Sequence, residues 1–262
     1  MEIYKCERYI YDAETDDIIY DETTGEPVTV PNDNFDAMEI DGEAVELDCD
    51  PSLELDTDHT VRLRIGSDKV IKDFSFGNWE DSPNDRLRSV IIPDGVTAIG
   101  VSAFGGCTNL SSITIPDSVT SIGGYAFGRT SLSSVTIPDS VTSIGDGAFD
   151  SCTSLSSVTI PDSVTAIGVG AFQECTSLSS ITIGSGVTSI VAGAFQECTS
   201  LSSVTIPDSV TYIDYSAFDN CASLSNITYN GTVEQWKQIN GYEDILIPIH
   251  CSDGDYRHRL PE

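Results

Sequence analysis

Apolar residues recur along most of this chain with a period of about 23 residues. Seven leucines mark the period: Leu87, Leu110, Leu132, Leu155, Leu178, Leu201 and Leu224. Every interval is 23 residues except that from Leu110 to Leu132, which is 22. A repeat of this length indicates structural units that stack on one another, because one unit is too short to bury its own apolar face.

The unit that begins at Leu155 illustrates the pattern. In residues 155–160 alternate side chains are apolar, which predicts a short strand with Ser157 and Thr159 on its outer side. Pro161 ends this strand because it has no N–H to donate, and Asp and Ser after it favour a turn. Residues 164–167 then predict a second short extended segment.

The second half of the unit returns the chain to the start of the next one. Gly168 permits a tight corner, and Ala171, Phe172 and Cys175 predict a helical or 3-10 turn. Stacked units of this kind form a mainly β, right-handed solenoid, with parallel strands about 4.8 Å apart.

Two of the six turns depart from the pattern. The second, residues 110–131, is one residue short and lacks the cysteine. The fifth has Gly184-Ser185-Gly186 in place of Pro-Asp-Ser, and Val191 in place of the corner glycine. Both departures predict local kinks in the solenoid.

The repeated pattern, Leu-x-x-Val/Ile-x-Ile-Pro-x-x-Val-x-x-Ile-Gly-x-x-Ala-Phe-x-x-Cys, resembles the bacterial BspA-like leucine-rich repeats. The resemblance covers at least residues 87–229 and extends to nearly every apolar position of six turns. It implies a leucine-rich-repeat solenoid and an association with surface proteins that mediate adhesion and protein contacts. It also suggests a location at the cell surface or outside the cell.

The ends of the array predict caps. Regular turns occupy residues 87–224, and residues 225–262 form a C-terminal cap and tail. Within the cap, Thr232 is a suitable N-cap for a short helix whose residues Val233, Trp236 and Ile239 share one face. Trp236 is predicted to plug the end of the apolar core, and residues 245–251 predict one last strand.

At the other end, residues 61–86 predict a degenerate first turn that belongs to the same solenoid as the rest of residues 61–262. Residues 63–70 match residues 181–187 with one insertion. Residues 1–60 show no repeat and predict a small, acidic, β-rich unit, since short strand-like runs alternate there with turn sequences.

Charge narrows the classes of partner. The net charge is −30, with only 12 Lys and Arg side chains, so the field repels phosphate backbones and anionic lipid. Nucleic acid is therefore not an expected partner. No apolar stretch approaches the ~18–20 residues of a membrane span, so membrane insertion is not expected either. The first residues lack the basic and apolar regions of a signal peptide, which leaves the localisation open.

The repeat also aligns chemically distinctive residues in columns. Cysteines recur in five turns, at Cys107, Cys152, Cys175, Cys198 and Cys221, and are predicted to be buried, reduced core residues. Aspartates follow proline in five turns, at Asp94, Asp117, Asp139, Asp162 and Asp208. Turn formation explains them, with calcium binding as the alternative. No cofactor site, metal site or catalytic group of residues is predicted, because no motif brings an acid, a base and a nucleophile together.

The remaining candidate is an interaction surface. It combines outward hydroxyls of the strands with tyrosines that break the repeat, namely Ser157, Thr159, Ser180, Thr182, Ser203, Thr205, Tyr125, Tyr212 and Tyr215. The predicted function is therefore a non-enzymatic scaffold that contacts a protein or a cell-surface ligand. Two alternatives stay open: a carbohydrate- or surface-binding adhesin module, and a purely architectural spacer in a larger assembly.

Overall fold

The computed structural model describes residues 87–241 and 247–257 in full. Before residue 87 it describes six strands and the side chain of Ile71. The elements are, in chain order, β1 (Glu7–Tyr9), β2 (Thr29–Pro31), β3 (Phe35–Ile40), β4 (Glu43–Val45), β5 (Thr60–Ile65), β6 (Val70–Ile71), β7 (Ser89–Ile91), β8 (Ala98–Ile99), β9 (Ser112–Thr114), β10 (Ser121–Ile122), β11 (Ser143–Ile144), β12 (Ser157–Ile160), β13 (Ala166–Ile167), β14 (Ser180–Ile183), β15 (Ser189–Ile190), β16 (Ser203–Ile206), β17 (Tyr212–Ile213), β18 (Asn226–Tyr229), α1 (Val233–Trp236), β19 (Ile249–Cys251) and β20 (Gly254–Tyr256).

Each regular turn contributes one longer and one shorter strand, and each strand pairs in parallel with the same strand of the next turn. In the longer series, β12, β14, β16 and β18 pair in register, so that residues one repeat apart lie side by side. In the shorter series, β8, β10, β11 and β13 do the same. The protein is thus a mainly β solenoid with 23-residue turns.

The interior of the solenoid is a set of columns, each filled by one repeated position. The most regular column consists of phenylalanine rings, with adjacent centroids 5.2–5.7 Å apart, contributed by Phe104, Phe127, Phe149, Phe172, Phe195 and Phe218. All but the last of these rings are fully buried. Offset stacking at this separation is favourable, so each ring stabilises the contact between two turns.

The segment that returns each turn to its start is a series of tight turns, not a continuous helix. In the fourth turn, Ala171 and Gln173 donate backbone hydrogen bonds three residues back, whereas Phe172 and Glu174 donate to carbonyls of the fifth turn. Glu174 also has a positive φ of 57°, which interrupts a helix. The predicted 3-10 character is therefore limited to isolated hydrogen bonds, because alternate residues hold the neighbouring turn.

The two irregular turns coincide with two breaks in the hydrogen-bonded ladders. In the longer series, β9 ends one sheet and β12 begins another, and between them Ser134 forms an isolated bridge with Ser157. In the shorter series, the break lies between β13 and β15. A Cβ on Gly168 would lie 2.3 Å from the backbone nitrogen of Asp146. Val191 carries a side chain at the corresponding corner of the fifth turn. The backbones of the fourth and fifth turns therefore cannot approach each other as closely at this corner.

At the N-terminal end, strands from before the array extend its sheet. Strand β5 pairs in parallel with β7, and β3 pairs antiparallel with both β5 and β4. Val61 lies opposite Val90, so Val61 and not Leu63 takes the position of Ile181, a shift of two residues from the sequence alignment. Strands β1 and β2 form a separate antiparallel pair. The predicted boundary between residues 60 and 61 falls inside β5, and residues 72–86 of the predicted first turn lie outside the described residues.

At the C-terminal end, the predicted helix is a single turn that ends at Trp236, before Ile239, and the predicted last strand is present as Ile249–Cys251. Thr232 and Gln235 form a capping box at the start of α1, and Trp236 is fully buried in contact with Tyr229, with a ring-centroid distance of 5.2 Å. Strand β19 pairs in parallel with β18, and β20 folds back antiparallel on β19. The end of the core is therefore covered by a tryptophan and by a hairpin, of which only the first strand was predicted from the sequence.

Candidate interaction surfaces

The hydroxyl-bearing residues of the predicted surface lie together on the outer side of the longer strands, here called the strand face. Ser157, Thr159, Ser180, Thr182 and Ser203 are exposed and Thr205 is half-buried. Their inward neighbours in the strands are buried because strand side chains alternate between the two faces. The strand face is consequently flat and hydrated.

The predicted tyrosines lie elsewhere. Tyr212 is on β17 in the shorter strand series, and Tyr125 and Tyr215 follow the corners after β10 and β17. The structure thus separates the predicted set into two surfaces, because the chain turns between the longer and the shorter strand of each unit.

The corner position that carries Tyr215 also carries exposed aliphatic residues, and Tyr125 lies one residue further along its own turn. Val101 is 40% exposed and Val169 is 53% exposed, at the equivalent corners of the first and fourth turns. We call Val101, Tyr125, Val169 and Tyr215 the apolar edge. The two valines were not predicted from the sequence. The sequence does contain a signal for them, because a bulky apolar side chain stands at a position where other turns place Gly124, Asp146 or Ala192.

Tyr125 holds its ring at this edge through an unusual backbone conformation. Its φ is 53°, in the left-handed region, where the next three turns place glycines and the first places Ser102. A Cβ on Gly147 would lie 2.2 Å from a carbon of the Tyr125 ring, so the ring lies directly over the third turn. Left-handed backbone is costly for a bulky residue. This tyrosine therefore fills the gap in the apolar edge that the third turn would otherwise leave.

Near the C-terminal end, two tyrosines differ in how firmly they are held. The Tyr212 hydroxyl donates to Asp214 Oδ2 at 2.8 Å, which raises the pKa of Tyr212. Ser216 donates to Asp214 Oδ1 through its hydroxyl and its backbone N–H, and these bonds lower the pKa of the carboxyl. Tyr215 is 67% exposed. It is the most exposed large apolar side chain of the described residues.

The cysteine column lies in the interior. Cys152, Cys175 and Cys198 are fully buried, and each thiol donates to the phenylalanine carbonyl of the preceding turn at 3.1–3.2 Å. Cys221, at the end of the column, makes the same bond but is half-buried. Burial raises the pKa of Cys107 to about 12 and that of Cys152 to about 11. These thiols are consequently protonated and act as core residues.

We expect native-state thiol labelling to separate the column from the C-terminal cysteine. Because the thiolate is the reactive form, Cys175 and Cys198 should remain unmodified by iodoacetamide at pH 8 while the half-buried Cys251 is alkylated. Peptide mass spectrometry after quenching measures the alkylation of each cysteine. Unfolding in denaturant should make all of these cysteines reactive. Rapid alkylation of Cys175, or a disulfide within the column, would contradict this assignment.

The aspartates after proline differ in their contacts. Asp162 Oδ1 accepts a hydrogen bond of 2.6 Å from the backbone N–H of Ser185 in the irregular fifth turn, and this bond lowers its pKa. Within the described residues no group of three or more His, Cys, Asp or Glu side chains is arranged to hold a metal ion. None of the helices in the described part of the chain has the length and apolarity needed to traverse a bilayer.

The stacked turns, the buried leucine and phenylalanine columns and the parallel strand ladders define a leucine-rich-repeat β-solenoid. A family model described as the BspA type leucine rich repeat region matches residues 70–190 and 122–240, with six copies of the repeat. The chain therefore belongs to the BspA-type leucine-rich-repeat family.

Solved structures of bacterial repeat proteins are similar to this chain. The T. pallidum leucine-rich repeat protein TpLRR is 28% identical, with a TM-score of 0.54, over 63% of this chain and 83% of that protein. A leucine-rich repeat protein from Bacteroides ovatus is also 28% identical, with a TM-score of 0.53, over 67% of this chain and 51% of that one. No curated protein gives a significant match to the sequence.

Proposed function

We propose that this protein is a non-enzymatic scaffold that binds another protein through its apolar edge. The observation that carries the proposal is the exposure of Val101, Tyr125, Val169 and Tyr215 along one side of a rigid stack. From the first to the sixth turn this edge extends about 24 Å, at ~4.8 Å per turn. Exposed aromatic and aliphatic side chains grouped on one side of a protein are typical of protein contact sites.

The strand face has a secondary role in this proposal. Its Ser and Thr columns offer hydrogen bonds over a large area but contain no aromatic anchor, so each contact contributes little affinity. Near-identity of the turns supports a second candidate function, an architectural spacer, because a spacer needs only length and rigidity. The two functions differ in whether the apolar edge makes a specific contact.

Site-specific photo-crosslinking in cells of the source organism tests the proposal. A benzophenone amino acid at position 215 or 169 should give a discrete protein adduct, whereas the same group at position 182, on the strand face, should give a weaker one. Replacing Tyr125 by serine in the position-215 protein should reduce the adduct about tenfold, since truncating an interface anchor costs roughly 1–2 kcal/mol or more.

Three kinds of result would contradict the proposed function. Adducts that arise equally from positions 215 and 182 would show contact without a preferred surface. Adducts to copies of the same chain alone, or none from any position, would favour the architectural spacer. Adducts from position 182 alone would move the binding site to the strand face.

A further inference from the structure

The short second turn changes the surface of the third and fourth turns. Thr130 occupies the position of the missing cysteine: it is buried, and its hydroxyl donates to the Phe127 carbonyl at 2.9 Å and lies 3.3 Å from Cys152 Sγ. The lost residue is therefore one of the two that normally connect this position to the next leucine, and Ser131 alone makes the connection to Leu132. The core column continues, but the strand after Leu132 starts from a displaced position.

The displacement removes the regular ladder of that strand. Of residues 132–137, Ser134 alone forms a bridge, to Ser157, and the peptide groups of Thr136 and Ile137 make no hydrogen bond among the described residues. By contrast, β12, β14, β16 and β18 each pair with their neighbours over several residues. Backbone donors and acceptors of this strand are thus left without partners, within the described part of the chain, where the ladder is interrupted.

A cleft of about 450 Å³ lies at this place, within the size range of small-ligand sites. It is lined by residues of the third and fourth turns, namely Ser134, Val135, Thr136, Ile137, Asp139, Ser157, Val158, Thr159 and Pro161. The floor is apolar because Val135, Ile137 and Val158 point inward, and the walls carry four hydroxyls. One carboxylate, that of Asp139, lies in the lining.

The electrostatics of the cleft favour a cation. Asp139 is exposed, and its carboxylate accepts no hydrogen bond from any described residue, whereas the equivalent Asp162 is bound by the backbone of Ser185. The described residues 87–241 and 247–257 contain fourteen carboxylate side chains and four from Lys or Arg, so their field attracts basic groups. The backbone carbonyls without a partner add hydrogen-bond acceptors. The apolar floor can hold the methylene groups of a lysine or arginine side chain.

We propose that this cleft binds an extended peptide segment of the partner, with a lysine or arginine side chain placed against Asp139. The segment lies across the opening of the cleft, where the hydroxyls of Ser134, Thr136, Ser157 and Thr159 form its hydrogen bonds. The proposal builds on the proposed function by naming the chemical class of the partner. Its location on the strand face is separate from the apolar edge, so each site can fail without the other.

Titration of the full-length chain with the peptide Ac-Ala-Arg-Ala-NH₂, followed by amide chemical shifts, tests the proposal. We expect saturable shifts confined to residues 134–139 and 157–161. Asp139→Asn should weaken binding about fivefold, the range for an exposed ion pair. Asp162→Asn changes the net charge equally and is the matched control, with binding within twofold of the original. The peptide with citrulline in place of arginine should bind at least fivefold more weakly.

A second variant tests the origin of the cleft. Inserting one serine after Ser131 restores the 23-residue spacing and should restore the ladder on both sides of the strand. The protein should then stay folded, with an unchanged or higher melting temperature, but lose the peptide response. Because this variant closes the site without disturbing the core, loss of binding with retained stability supports the assignment.

Several outcomes would overturn the proposal. They are an absence of saturable shifts, equal binding of the citrulline peptide, and equal weakening by Asp162→Asn. Shifts in the same residues with the neutral disaccharide maltose but not with the peptide would instead make this a carbohydrate cleft. None of these results affects crosslinking at position 215, so failure here is distinguishable from failure of the proposed function.

Discussion

Replacing Trp236 by alanine is expected to lower the free energy of unfolding by about 3–5 kcal/mol, the typical cost of truncating a buried aromatic side chain. Trp236 is fully buried and contacts Tyr229 at the end of the stack. In a stack of units that contact only their neighbours, this loss falls on the terminal interface. Hydrogen exchange should therefore accelerate first around β18 and spread toward Leu201, while amides near Leu132 stay protected.

Lys237→Ala is the control for this change. Lys237 lies next to Trp236, and its side chain is 43% exposed in a surface ion pair with Glu234. Loss of such a pair changes stability by less than about 1 kcal/mol. If Trp236→Ala left the exchange rates at both ends unchanged and the protein monomeric, Trp236 would not be a cap. Increased aggregation would agree with the cap, because opened strands expose unpaired edges.

Replacing Phe172 by alanine is expected to have an effect of similar or larger size, about 3–5 kcal/mol, but in the middle of the array. The Phe172 ring stacks on Phe149 at 5.2 Å and on Phe195 at 5.7 Å, so its removal weakens two interfaces between turns instead of one. The solenoid should then unfold less cooperatively. Denaturant unfolding followed by exchange mass spectrometry should show the two halves separating, with a shallower transition than in the original protein.

Val169→Ala in the same turn separates packing from surface effects. Val169 is 53% exposed on the apolar edge, so its truncation should change the free energy of unfolding by less than about 0.5 kcal/mol. It should nevertheless weaken partner binding if the edge is the contact site. A loss below 1 kcal/mol for Phe172→Ala, or equal losses for both variants, would contradict the role of the phenylalanine column.

The core of this fold could be predicted from the sequence because the same apolar position recurs in six turns. Phe172 and Cys175 are buried, as the repeat indicates, and the capping role of Trp236 follows from its place after the last turn. The shared face of α1 and the last strand were also predictable. All of these features depend on local patterning and on the rule that apolar faces must stack.

The interaction surfaces were harder to predict from the sequence than the core. The sequence grouped Tyr125, Tyr212 and Tyr215 with the strand hydroxyls, whereas the structure places them on a different side of the solenoid. The direction of a side chain after a corner depends on backbone dihedral angles, such as the positive φ of Tyr125, that residue type does not indicate. The exposed Val101 and Val169 were missed for the same reason.

The sequence by itself determined the period of the solenoid, the inward positions of each turn and the family, since these depend on which residues repeat. The tertiary structure alone decided how the irregular turns and the ends are joined. Strand β5 pairs two residues out of the expected register, β3 extends the sheet, and the ladder of the strand face is interrupted after Ser134, in the turn that follows the short second turn. These features arise from hydrogen bonds between turns, and the energy of such bonds depends on spatial register instead of on the pattern within one turn.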